Sequence, residues 1–268
     1  MALVDEYVQS ATPVGSSRLA QQYLTEVSAA TVRNELMGLE TEGYARSPHT
    51  SAGRVPTTTG YRVFVNTVLL REGLKDANAM TLATMRGLVS GTSISTNANA
   101  SINTSIGTSI SDVFGLEQVE QRSQDVEQRV DRTLAFLSGA TGLLSVLWTV
   151  RPETSVHHRG LPQLLAQPEF QDARALIPLM RFIEDEAALA HLLQTARRGG
   201  RLIVRIGTEN EDGCLASYSM VADVYGEERP RGALAVFGPT RMDYRKAIGA
   251  VMLASRLLGD WRAQTLDW

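Results

Sequence analysis

Residues 28–34 read Ser-Ala-Ala-Thr-Val-Arg-Asn, a run in which small side chains precede one arginine and one asparagine. The guanidinium fork of arginine matches O6 and N7 of guanine, and the asparagine amide matches N6 and N7 of adenine. This order therefore suits a helix whose tip enters the major groove of DNA. Ser28 is placed to cap that helix, Ala29, Ala30 and Thr31 leave room for close approach, and Arg33 and Asn34 are the expected base contacts. Val32, Leu36 and Leu39 recur on the side that must be buried. A solvated helix of no special function would also carry a few polar residues, so the flanking sequence decides between the readings.

Ahead of this segment, the residues after Pro13 (VGSSRLAQQY) begin a short helix with Ser16 or Ser17 as its expected cap, and LTEV is a tight connection into the next helix. Two short helices so joined form a helix-turn-helix. After it comes PHTSAGRVPTTTGYR, residues 48–62, a turn-rich loop between two short apolar pieces. It has the form of a wing and brings His49, Thr50, Ser51, Arg54 and Arg62 close in sequence. Hydroxyls, backbone N–H groups and arginines of this kind position a protein on phosphate oxygens without reading bases. Ser17, Arg18 and Arg46 would extend the same face, while Glu35, Glu40 and Glu42 lie further along the reading helix.

The elements that must carry these residues divide the chain into three. Residues 1–72 read as a winged helix-turn-helix domain that ends in an amphipathic stretch over 60–70. Residues 73–115 read as a flexible low-complexity linker, because 90–111 collapse to Ser, Thr, Asn, Gly, Ala and Ile, with GTSIS at both 91–95 and 107–111. Self-pairing of that Thr- and Ile-rich repeat as short β-structure is the alternative. Residues 116–268 form the third part. Leu116, Val119, Val126, Val130, Leu134 and Leu137 mark one stripe of a helix, expected either on its own domain or across a dimer interface. Strands are expected at 201–207, 214–225 and 233–238, with GEERPRG as the hairpin turn before the last. Thr240 and Asp243 would cap a final helix with Tyr244, Ile248, Val251, Met252, Leu258 and Trp261 on its apolar face. The fold class is α+β, with an antiparallel sheet and helices on one side.

Composition restricts the function further. The 268 residues, 43% of them hydrophobic, suffice for two cores. A formal net charge of −3 gives no general attraction to nucleic acid, so DNA binding must come from a local cluster. Lys75 and Lys246 are the only lysines among 26 basic residues; a GC-rich coding bias accounts for that skew as well as a need for arginine does. No apolar run reaches the length of a membrane span, and Asp5 and Glu6 sit where a signal peptide needs positive charge, so a cytoplasmic protein is expected. Cys214 has no second cysteine for a disulfide or a metal site. His49, His157, His158 and His191 lack metal-ligand spacing, and neither a nucleophile elbow nor a phosphate-binding Gly-rich loop occurs. The expectation is a protein that is not an enzyme and needs no cofactor. Arg241, in GPTRMDY at a helix start, is read as structural in preference to anion-binding.

Residues 27–65 (VSAATVRNELMGLETEGYARSPHTSAGRVPTTTGYRVFV) closely resemble the hallmark stretch of the HrcA repressors. VRIGTENEDG at 204–213, GALAVFGPTRMDYRKAI at 232–248 and RGLPQLLAQPEF at 159–170 resemble further family segments in the correct order. The resemblance covers roughly 1–70 and 130–268. It implies a winged helix followed by a GAF-like domain, and repression of chaperone operons through binding, as a homodimer, to an inverted-repeat operator called CIRCE. It further implies dependence on the GroEL chaperonin. Three departures stand out: a shortened start at MALVDEY, an unusual Ser/Thr/Asn segment, and, between residues 152 and 157, the absence of a block that normally includes an inserted dimerisation domain. The GAF-like part is therefore expected in reduced form, with dimerisation moved to the 116–137 helix and the C-terminal sheet or helix. Two rival readings accompany this one: a repressor controlled by a small metabolite, and a chaperonin-interacting protein that no longer reads DNA.

Overall fold

The computed structural model describes residues 1–49, 53–71, 116–150, 154–210, 213–226 and 231–265. The expected linker at 73–115 lies outside the described residues, as do Thr50 and Ser51. The chain is α+β, and its sheet is antiparallel throughout.

The N-terminal part consists of α1 (Ala2–Ser10), α2 (Ser16–Gln22), α3 (Ala29–Thr41), and a ribbon of β1 (Ala45–Arg46) and β2 (Val55–Pro56). Leu3, Val14, Leu19, Val32, Leu36 and Ala45 form its own small core. The cap of α2 is Gly15, which has no side chain to offer; Ser16 is buried and Ser17 exposed, so neither serine caps this helix as expected. Val14 exchanges two backbone hydrogen bonds with Arg54, adding a third short segment to the ribbon. A methyl group at Gly53 would overlap the Val14 backbone, so only glycine permits this approach. Thr57 then accepts the Gly60 N–H at 3.1 Å and starts α4 (Thr58–Arg71).

The C-terminal part begins with α5 (Leu116–Thr141), followed by β3 (Leu144–Thr149) and β4 (Ser155–Arg159). Next come α6 (Leu161–Leu165), α7 (Leu176–Glu184), α8 (Glu186–Gly199) and β5 (Leu202–Ile206). It closes with β6 (Tyr218–Tyr225), β7 (Gly232–Pro239) and α9 (Tyr244–Thr265). The strand order is β4-β3-β7-β6-β5. β6 starts at Tyr218, later than expected, because 213–215 wind into a short 3-10 turn. Asp243 alone caps α9 with its side chain, accepting the Lys246 N–H at 3.1 Å; Thr240 contributes its carbonyl to the Tyr244 hydroxyl.

Helices cover both faces of this sheet, in place of the single covered face expected. Strand side chains alternate between faces. Leu144, Val146, Trp148, Met220, Ala222, Val224, Ala233, Ala235 and Phe237 pack with α6, α7 and α8. Leu147, Val221, Tyr225, Leu234 and Val236 pack with α4, α5 and α9. Val130, Leu134 and Leu137 of the α5 stripe are buried here, with Val126 against them, so those positions serve this core and not a second copy. Polar tips among the apolar side chains find acceptors: Trp148 Nε1 donates to Ile183 O at 2.8 Å, and the Tyr225 hydroxyl to Trp148 O at 3.1 Å.

Two tests follow from this packing. A methyl group at Gly60 would overlap the Tyr44 backbone carbonyl oxygen, which cannot swing aside as a flexible side chain could, whereas Gly38 on α3 has open space. Gly60→Ala should cost about 1–3 kcal/mol as overpacking, read as a lower urea midpoint at unchanged slope, while Gly38→Ala should gain about 0.5–1 kcal/mol. The second concerns Asp223, which is 6% exposed on the α9 side of β6. Burial pushes its carboxyl above the usual range despite Arg201 Nε at 3.9 Å. With the folded-state value raised, the native state holds the proton longer than the unfolded chain does. This site's contribution is therefore full below the unfolded value of about 4 and is lost as pH rises through the folded one. Asp223→Asn should melt above wild type at pH 7, with the difference vanishing toward pH 4; a difference that does not change with pH would contradict the assignment.

Candidate nucleic-acid interface

The first turn of α3 is built as its sequence requires. Ser28 has extended backbone, and its Oγ accepts the Thr31 N–H at 3.1 Å and lies 2.9 Å from Thr31 Oγ1. Both hydroxyls are thus engaged in the cap, although each residue remains exposed. Val32 and Leu36 are buried against α2 and hold the helix in place, and Ala29 is half-buried. Ala30, Arg33, Asn34 and Met37 recur at the spacing of one helix face, and all four are exposed. Met37 is 53% exposed and continues that face one turn beyond Arg33. Reading Arg33 and Asn34 as the end of the face misses it, although the spacing of three and four from Ala30 is the signal that finds it.

The ribbon beside α3 is fastened by one carboxylate. Glu40 accepts the Ser47 N–H through Oε1 at 3.0 Å and pairs through Oε2 with Arg54 Nη2 at 2.7 Å; Arg54 Nη1 reaches Ser47 Oγ at 3.4 Å. Arg54 therefore ties the two sides of the ribbon to the end of α3. On the same ribbon Arg46 is exposed, and His49 stands exposed at the loop while its carbonyl accepts the Ser47 hydroxyl at 2.7 Å. Arg18 on α2 is half-exposed, with Nε 2.5 Å from Glu6, whose side chain is 2% exposed. Ser17 lies exposed beside it.

The predicted residues separate into three groups. Ala30, Arg33 and Asn34 stand exposed on α3, with Arg46 and His49 exposed on the neighbouring ribbon. Neither Arg33 nor Arg46 has an acidic side chain within salt-bridge distance among the described residues. Arg18 and Arg54 belong to this part of the chain but are each paired with a glutamate. Arg62 is not brought to the group: its Nε donates to Glu209 Oε1 at 2.8 Å and its Nη2 to the Val204 carbonyl at 2.7 Å, both in the C-terminal part. Glu6, Glu40 and Glu209 were not legible as partners, since nothing in the local pattern of a glutamate specifies a distant arginine.

Among the described residues no group of His, Cys, Asp and Glu could hold a metal ion, and no helix is long and apolar enough to cross a membrane. Arg241 is held by Glu169 at 2.6 Å and Gln167 at 2.9 Å, so its guanidinium serves a structural contact, as its sequence context implied.

Comparison with known proteins gives a consistent result. The family model described as "HrcA protein C terminal domain" matches residues 77–248. The heat-inducible transcription repressor HrcA of Cutibacterium acnes is 31% identical over 328 residues, covering 98% of this chain and 96% of its own. That of a Parafrankia strain is 31% identical over 323 residues, covering 97% and 95%. Both aligned spans exceed the 268 residues present here, so these relatives carry sequence that this chain lacks. A crystal structure titled only as that of a hypothetical protein superposes with a TM-score of 0.68 over 98% of this chain and 96% of its own, at 17% identity, which shows a shared fold. The chain belongs to the HrcA family of heat-inducible transcription repressors.

Proposed function

We infer that this chain represses transcription by binding double-stranded DNA through α3 and the β1–β2 ribbon. The observation that carries the reading is the exposed face Ala30-Arg33-Asn34-Met37 on a helix that is capped by Ser28 and fixed by Val32 and Leu36. In this reading α1 to β2 and the start of α4 form a winged helix within residues 1–72, and residues 116–268 form a reduced GAF-like unit joined to it through 73–115. Arg33 and Asn34 contact base edges, Ala30 and Met37 offer apolar surface to thymine methyls, and Arg46 and His49 position the ribbon on phosphates. Thr50 and Ser51 extend the ribbon's set of phosphate contacts.

The family supports regulation of heat-shock genes, and its resemblance supplies the finer expectations: an inverted-repeat operator of the CIRCE type, binding as a homodimer, and GroEL as a partner. A palindromic site and a two-fold dimer belong together, because each half-site then meets the same surface. A negative whole-molecule charge is compatible with DNA binding when the cations are local. Here Glu6 and Glu40 neutralise Arg18 and Arg54, which leaves Arg33 and Arg46 to face outward.

Gel-shift titration of an inverted-repeat duplex from upstream of the host's chaperonin operon tests the reading. Wild type should bind it in preference to random DNA. Arg33→Ala should lose about 1–3 kcal/mol and relax preference at one operator position. Arg46→Ala should weaken binding to all sequences and lower the salt slope by about 1. Equal losses on specific and random DNA for Arg33→Ala would move that residue to the phosphates, and absence of any binding at low salt would overturn the repressor reading.

A further inference from the structure

The geometry points to Arg62 as a positioning residue that, with Glu209, fixes the angle at which α3 and the ribbon are carried on the sheet, and so sets which half-site spacing the protein accepts. The proposal rests on the repressor reading and deepens it.

Arg62 lies on α4 just beyond Gly60, where a Cβ would overlap the Tyr44 carbonyl at the root of the ribbon. Its neighbours Tyr61, Phe64, Val65 and Val68 are buried in the core shared with α5, α9 and the sheet. Apolar burial of this kind holds two bodies together but is not directional. Arg62 supplies the direction. Both its Nε and its Nη2 donate to the Glu209 carboxylate, and Nη2 also donates to the Val204 carbonyl on β5. Glu209 is itself immobilised, since its Oε2 accepts the Ile206 N–H at 2.9 Å. A two-point arginine–carboxylate contact defines both a distance and an orientation, which a lysine ammonium does not. The side chains are only 28% and 30% exposed, so solvent screens them less than a surface pair.

A second contact stands on the same junction. Arg245 of α9 lies 5.0 Å from the Phe64 ring centre and 3.7 Å from Asp5 of α1. Two charged contacts from different elements restrain rotation that either one alone would allow. For a dimer, the separation of two reading helices is then a property of the protein, and operators are selected by spacing as well as by sequence.

The test uses full-length wild type, Glu209→Gln, Arg62→Lys and Arg62→Ala, titrated against inverted-repeat duplexes whose central spacer is changed one base pair at a time, and against a single half-site. Wild type should prefer one spacing. Glu209→Gln and both Arg62 variants should reduce that preference by roughly fivefold or more, as loss of a coupling between sites does, with half-site affinity retained. Unchanged spacing preference in Glu209→Gln overturns the proposal. So does an Arg62→Ala variant that weakens the half-site and lowers the salt slope, since Arg62 would then touch phosphate. Hydrogen exchange of the unliganded proteins separates this proposal from the repressor reading. Faster exchange over 58–71 and 202–209 in both Glu209→Gln and Arg62→Lys shows the clamp without DNA, and unchanged exchange there overturns it. A wild type that binds none of the duplexes overturns the repressor reading itself, and with it the role in spacing, whatever the exchange shows.

Discussion

The whole molecule is organised by the burial of β3, β6 and β7 on both faces. Every residue of these strands is removed from water. Such strands need an apolar layer on each side, because a face left bare would return its surface to solvent at about 25 cal/mol per Å². One layer comes from α6, α7 and α8, which lie between β4 and β5 in the chain. The other requires α4 beside α5 and α9, and α4 is continuous with the ribbon that precedes it. The surface that carries Arg33 and Asn34 is therefore attached directly to the C-terminal core.

Within that frame the arginines take different roles according to their partners. A buried carboxylate is costly unless it is paired, so Glu6 holds the Nε of Arg18 while the rest of that guanidinium remains toward solvent. Glu40 performs two tasks, anchoring a backbone N–H of the ribbon and the side chain of Arg54. Two arginines of this part of the chain are thereby paired, while Arg33 and Arg46 are exposed with no acidic side chain within salt-bridge distance among the described residues.

The junction between α4 and the sheet includes a polar group left without a partner. The Tyr61 hydroxyl is buried without a hydrogen-bond partner, and its ring stands 5.7 Å from that of Tyr244, whose own hydroxyl is satisfied by Ser219 and Thr240. A lone buried hydroxyl costs about 1–3 kcal/mol.

The sequence by itself determined the local features. The Ser28 cap, the buried Val32 and Leu36, and the exposed Arg33 and Asn34 all follow from groups within one or two helical turns, where spacing specifies contact. The same holds for the strand at 202–206 and for the family signatures, which are strings of neighbouring residues. The tertiary structure decided what depends on partners far apart in the chain. The 60–70 stretch is amphipathic in sequence, but whether its apolar face meets α3 or the sheet is a matter of which surface is offered to it, and that proved to be the sheet. Arg62 has the composition of a phosphate contact and is instead claimed by Glu209, 147 residues away. An arginine binds whatever carboxylate or phosphate the fold brings within reach, and its type and its neighbours in sequence do not say which that will be.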